Sequence, residues 1–120
     1  MKFMKQLSFL IILAAMVLFI PLDSSAKGFC NGKELAWWMR EYDNWERGAP
    51  NIDNSACGLY IGYVMAVYDA MIFVFNAPEN VTTGQICSIA GKYLKENPEK
   101  WTLPAWVLVT EALQKAFPKR

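Results

Sequence analysis

Residues 57–75, CGLYIGYVMAVYDAMIFVF, decide how this chain folds, because nineteen residues pass with a single charge, Asp69. Cys57, Tyr60, Ile61, Val64, Tyr68, Met71, Ile72 and Phe75 recur at the three-and-four spacing of a helix with one broad buried stripe. Gly58, Gly62, Asp69 and Asn76 project onto a second, narrow strip, where small residues would let another element approach the backbone. A third side, with Leu59, Tyr63, Ala66, Ala70 and Val74, is again apolar. The length raises a bilayer span, but Asp69, two glycines and three tyrosines favour burial in protein, since a carboxylate at mid-bilayer is costly. A helix apolar nearly all round needs more cover than three short neighbours supply, so part of this surface is expected to serve a homodimer. Asp69 is expected to accept hydrogen bonds from a tyrosine hydroxyl or backbone donors and to fix packing, because acid-base chemistry would call for a second carboxylate nearby.

Three further helices flank this one. Upstream, Asn31 with Glu34 three residues on forms a capping-box pattern, and Leu35, Trp38, Met39 and Tyr42 make one apolar face. Residues 43–54, DNWERGAPNIDN, are polar, contain Gly48 and Pro50, and read as a loop. Downstream, Thr82 and Gln85 form a second box with Val81 and Ile86 as its hydrophobic staple, and that helix stops before Asn97 and Pro98. The last helix begins near Thr102 or Leu103, tolerates Pro104 in its first turn, and ends at Pro118. The expected fold is all-α: a small single-domain bundle of four main helices around a central long one.

The N-terminus reads as an export signal. Lys2 and Lys5 precede a run over residues 7–20 that is apolar but for Ser8, then Pro21 and the small residues Ser24, Ser25 and Ala26. Residues 1–26 are therefore expected to be cleaved, leaving residues 27–120 as one domain in the periplasm, free of the membrane. That mature chain holds ten basic and ten acidic residues, so nothing points to nucleic acid or another polyanion.

Histidine is absent and the three cysteines, Cys30, Cys57 and Cys87, lie 27 and 30 residues apart. Metal, haem and CxxC redox sites need closely spaced thiols or imidazoles, and Cys-His or Ser-His-Asp catalysis needs an imidazole. No cofactor and no enzymatic activity are expected; in an oxidising compartment the default use of cysteine is a structural disulfide. A binding module fits better. Trp45 and Trp101 both fall in expected loops flanked by charge, as interface hot spots do, although either ring could instead fold back as a lid on the small core. The candidate contact residues are Trp45, Glu46 and Arg47 in one loop and Asn97, Glu99, Lys100 and Trp101 in the other.

Along the mature chain, Cys30, then Cys57, Gly62, Tyr63, Asp69 and Ala70, then Pro78, Val81, Thr82 and Gln85 follow in an order that is itself informative. Tyr93, Leu94, Pro98, Leu103, Pro104, Ala105, Leu108, Val109, Ala112, Leu113, Ala116, Phe117 and Pro118 continue it. In this the chain resembles the periplasmic immunity proteins of type VI secretion systems, the Tai/Rap immunity family. The resemblance implies an all-helical, often dimeric, exported protein that binds a secreted peptidoglycan amidase effector and obstructs its active-site cleft. Family members carry a cysteine before the proline matched by Pro78 and another after the final Phe-Pro. Here Asn76 or Ala77 and Lys119 stand in those places. The likeness thus implies a one-bridge version of a two-bridge fold, with Cys30 joined to Cys57 and Cys87 left as a buried free thiol; closing that loop would contribute roughly 3 to 4 kcal/mol. Two other expectations share the size and helicity: a periplasmic chaperone of the acid-stress type, and a family relative with no toxin partner.

Overall fold

The computed structural model describes residues 2–8, 11 and 28–120. The expected cleavage site at residues 24–26 and most of the apolar run before it lie outside the described residues. Helix α1, Gly32–Glu46, starts where the sequence places it: Asn31 Oδ1 accepts from the backbone N–H of Lys33 at 3.0 Å and Glu34 at 3.1 Å, and Glu34 Oε2 accepts from Asn31 N–H at 3.0 Å. The helix runs past the expected loop boundary at Asp43. Tyr42 donates to Glu46 one turn on, Asp43 pairs with Lys95, and after Glu46 the chain turns away through Arg47 and Gly48, whose φ of +71° favours a residue without a Cβ.

Helix α2, Asn54–Ala70, is capped by Asp53, whose carboxylate accepts from Ala56 N–H while its own N–H donates to Glu41 on α1. It ends five residues before Phe75. A 3-10 turn, Ile72–Val74, follows, and Phe75 then turns inward against Tyr68. This break is held from far away, by Asn76 N–H on Phe117 O and the Lys119 ammonium on Phe73 O. Among the described residues no helix is long and apolar enough to cross a membrane. Helix α3, Thr83–Glu96, carries the expected capping box of Thr82 and Gln85, and Val81 packs against the core beside Ile86. A second 3-10 turn, Pro98–Lys100, leads to α4, Ala105–Ala116. Residues 101–104 are drawn out of α4 by backbone pairing: Gly32 N–H donates to Leu103 O and Ala105 N–H to Cys30 O. Among the described residues the Asn31–Pro104 bridge formed there is isolated and there is no strand.

Tyr60 at the centre of α2 is fully buried, with its ring 5.1 Å from that of Tyr42 and its hydroxyl donating to Cys87 O at 2.6 Å. Leu35, Val64, Ile86, Leu94, Leu108 and Leu113 close around it. Burying each such aliphatic side chain contributes about 1.5–3 kcal/mol.

Two expectations fail here. Cys30 and Cys57 are not joined; Cys30, Cys57 and Cys87 are all buried free thiols. Cys30 lies beside Glu34 and the Tyr63 hydroxyl, whereas Cys57 lies beside Glu41 and Asp53. Glu34 and Glu41 are two turns apart on α1, about 10 Å, and a disulfide spans Cα atoms no more than about 7 Å apart. Burial pushes the Cys30 thiol up to about 11, only partly offset by Tyr63, and burial pushes Cys87 up to about 11. Asp69, expected to organise packing, is exposed on the outward side of α2, where water solvates the carboxylate.

Candidate functional site

The seven residues expected to meet a partner fall into two clusters. At the end of α1, Trp45 is 52% exposed, its ring 5.9 Å from that of Tyr42 beneath it. Its neighbours are held in place: Glu46 accepts from Tyr42, and Arg47 donates to Asn44 Oδ1 at 2.7 Å. A tryptophan on the last turn of a packed helix is a rigid apolar anchor rather than a loop side chain. Beyond Glu46 opens a groove of about 640 Å³ lined by Pro78, Val81, Gln85, Ile89 and Phe117.

The second cluster is tied down more heavily. Trp101 is half-buried, donates from its indole Nε1 to Leu94 O at 2.8 Å, and accepts the N–H of Lys33 on its own carbonyl. It is a lid on the core. Asn97 donates to Tyr93 O, and the Lys100 ammonium donates to the Tyr93 hydroxyl at 3.0 Å and Glu111 Oε2 at 3.3 Å. Tyr93 donates to the same carboxylate oxygen at 2.5 Å. That hydrogen bond, with Lys100 adding to it, holds the Glu111 carboxyl below its usual range, while burial and Glu111 push Tyr93 up. Glu99 is exposed at the margin.

The two clusters are not one spot. Trp101 lies against Gly32 at the start of α1, and Trp45 is thirteen residues further on, about 20 Å along the helix axis. Between them runs a shallow groove of about 390 Å³ between α1 and the Pro98–Lys100 turn, lined by Met39, Arg40, Asp43, Lys95, Pro98 and Trp101. Its walls carry both signs of charge and are bridged by the Asp43–Lys95 pair at 2.5 Å.

A third surface lies outside that set. On the outward side of α2, Phe29 is 79% exposed and Phe73 63%, with Leu59 and Trp106 also open to water. A groove of about 600 Å³ is lined there by Phe29, Trp38, Gly58, Leu59, Gly62 and Tyr63. The apolar periodicity of Leu59 signals part of this surface; Phe29 and Trp106 reach it only because residues 28–30 cross the start of α4, a long-range contact. Among the described residues no group of three or more cysteine, aspartate or glutamate side chains could hold a metal ion.

The family model of the Rap1a immunity proteins matches residues 31–118. The chain belongs to this family. The matched span opens on the Asn31 cap and closes just past α4, so it takes in α1 to α4 and both clusters described above. No curated protein and no solved structure matches the chain. As a Rap1a immunity protein it is a binding protein, and membership implies a partner effector protein.

Proposed function

We propose that this Rap1a immunity protein is exported to the periplasm, loses residues 1–26, and there binds a peptidoglycan amidase delivered by a type VI secretion system, covering the active-site cleft. The observation that carries the reading is the family match across the whole helical unit. The signal-like N-terminus supports export. Trp45, Glu46 and Arg47 support a contact surface at the end of α1. A rigid aromatic ringed by charged hydrogen-bonding groups has the composition of an interface anchor, and it costs little side-chain entropy to immobilise. The Asn97–Trp101 segment supports the reading differently, as a fixed rim whose exposed members are Pro98 and Glu99. We also propose that the protein works as a homodimer.

The test is a titration of an amidase encoded beside this gene with the exported chain. Stoichiometric inhibition is expected, and Trp45→Ala combined with Arg47→Ala should weaken it at least tenfold with unchanged circular dichroism, since both side chains stand outside the core. Full inhibition by the double variant would remove the α1 end as the contact, and no inhibition by the parent protein would remove the amidase reading.

A further inference from the structure

We infer that the C-terminal segment Phe117–Lys119 is a latch that holds α2 short of the length its sequence favours, and that releasing the latch lets the helix run on through Phe75. Nothing local stops α2 at Ala70. Residues 71–75, Met-Ile-Phe-Val-Phe, contain neither glycine nor proline, and the next proline is Pro78. Met71, which ends the helix, has φ −108° and ψ 13°, and the positive φ values among the described residues belong to Gly48 and Asn51. So α2 lacks the left-handed cap that closes many helices. The helical alternative also keeps the same side chains on the core. Projected at about 100° per residue, Met71, Val74 and Phe75 fall on the face of Tyr60, Val64 and Val67, which is buried. Residues 76–82 would still remain to reach α3 at Thr83.

What stops the helix comes from the other end of the chain. Asn76 N–H donates to Phe117 O at 2.9 Å, and the Lys119 ammonium donates to Phe73 O at 2.7 Å. The first bond competes directly with helix growth, because in a continued helix Asn76 N–H would donate to Ile72 O. The second brings charge. The last turn of α2 carries Asp69 and no basic residue, a poor match to the partial negative charge at a helix C-terminus, and Lys119 supplies the missing cation from outside.

Held in this way, Ile72 and Phe73 stand 47% and 63% exposed while Phe75 is buried against Tyr68. One five-residue stretch thus has two arrangements, and two distant hydrogen bonds decide between them, which makes it a switch. Released, the exposed turn becomes further helix, and the basic residues Lys119 and Arg120 are freed. The latch does not depend on what the protein binds.

The experiment compares amide exchange and Cα chemical shifts over residues 71–76 in the exported chain, in its Lys119→Ala and Lys119→Arg variants, and in a chain ended at Ala116. Ending at Ala116 removes both bonds. It should move residues 72–75 to helical shifts and slow exchange of the Phe75 amide about fivefold or more, the protection given by one added hydrogen bond. Lys119→Ala removes one bond and should move the same signals part of the way. Lys119→Arg, which can still donate to Phe73 O, should leave them at the parent values. A contact that merely props up the turn gives the opposite sign: faster exchange and lost helicity over residues 71–76. That result, or signals unchanged in both the shortened chain and Lys119→Ala, would overturn the latch. Where the shortened chain fails to fold, Lys119→Ala alone decides between these outcomes, since that side chain is exposed and outside the core.

Discussion

Gly32 and Gly62 are both helical glycines, and they stand in opposite surroundings. A Cβ on Gly32 would lie 2.5 Å from Leu108 Cδ1 and 2.6 Å from Trp101 Cα, whereas one on Gly62 would touch nothing. The seam between α1 and α4 is closed backbone to backbone, with three hydrogen bonds across it from Gly32, Lys33 and Ala105. The outer face of α2 is open and apolar. A small residue in a helix therefore serves the monomer in the first region, and in the second serves something that the monomer does not contain.

The largest break in that comparison is Gly32→Ala. The new methyl meets the Trp101 backbone, which cannot rotate away, so a loss of about 3 kcal/mol or more is expected in urea unfolding. Tyr60→Phe comes next: it removes the buried bond to Cys87 O, a carbonyl that keeps its own helical partner, and about 0.5–1.5 kcal/mol should be lost with the m-value unchanged. At the open region the sign reverses. Gly62→Ala should stabilise the isolated chain by up to about 1 kcal/mol through helix propensity alone. Trp45→Ala should cost only about 1 kcal/mol, the loss of its contact with Tyr42, while it weakens effector binding by more, separating a contact residue from a packing one.

The smallest effect is one of pH. The Glu111 carboxyl is held below its ordinary value of 4.5 by the hydrogen bond from Tyr93 and by Lys100, so its stabilisation is present above pH 4.5 and fades as pH falls below it. Lys100 is raised above its ordinary 10.5 by Tyr93 and Glu111, so its share is complete below that pH and fades only above it. Between these limits Glu111→Gln should lower the melting temperature slightly, and the difference from the parent should shrink as pH falls below 4.5. A difference that instead widens in acid would contradict the assignment of the charges.

What the sequence made legible was local. The boxes at Asn31–Glu34 and Thr82–Gln85 each satisfy backbone groups within three residues of themselves, so both helix starts could be read directly. The periodicity of residues 57–75 likewise foretold Cys57, Tyr60 and Val64 in the buried stripe of α2 and the apolar character of its outer side, but it omitted the buried Ala56 and Val67 and included Ile72, which is exposed. What failed was long-range. The C-terminal end of α2 is set by Phe117 and Lys119, more than 40 residues away, and an unbroken apolar run contains no sign of them. The Cys30–Cys57 bridge was carried over from a resemblance, and it fails because α1 separates the two thiols by two turns. Trp101 looked as free as Trp45, yet its indole finds Leu94 O, and the loop identity alone could not distinguish a lid from an anchor.

The proposed role of the α1 end against a secreted amidase is tested most simply by following that amidase's hydrolysis of peptidoglycan against rising concentrations of the exported chain. Activity is expected to fall to zero near one equivalent, and Trp45→Ala with Arg47→Ala should shift the curve at least tenfold. Activity unchanged at a large excess of the parent protein would contradict it.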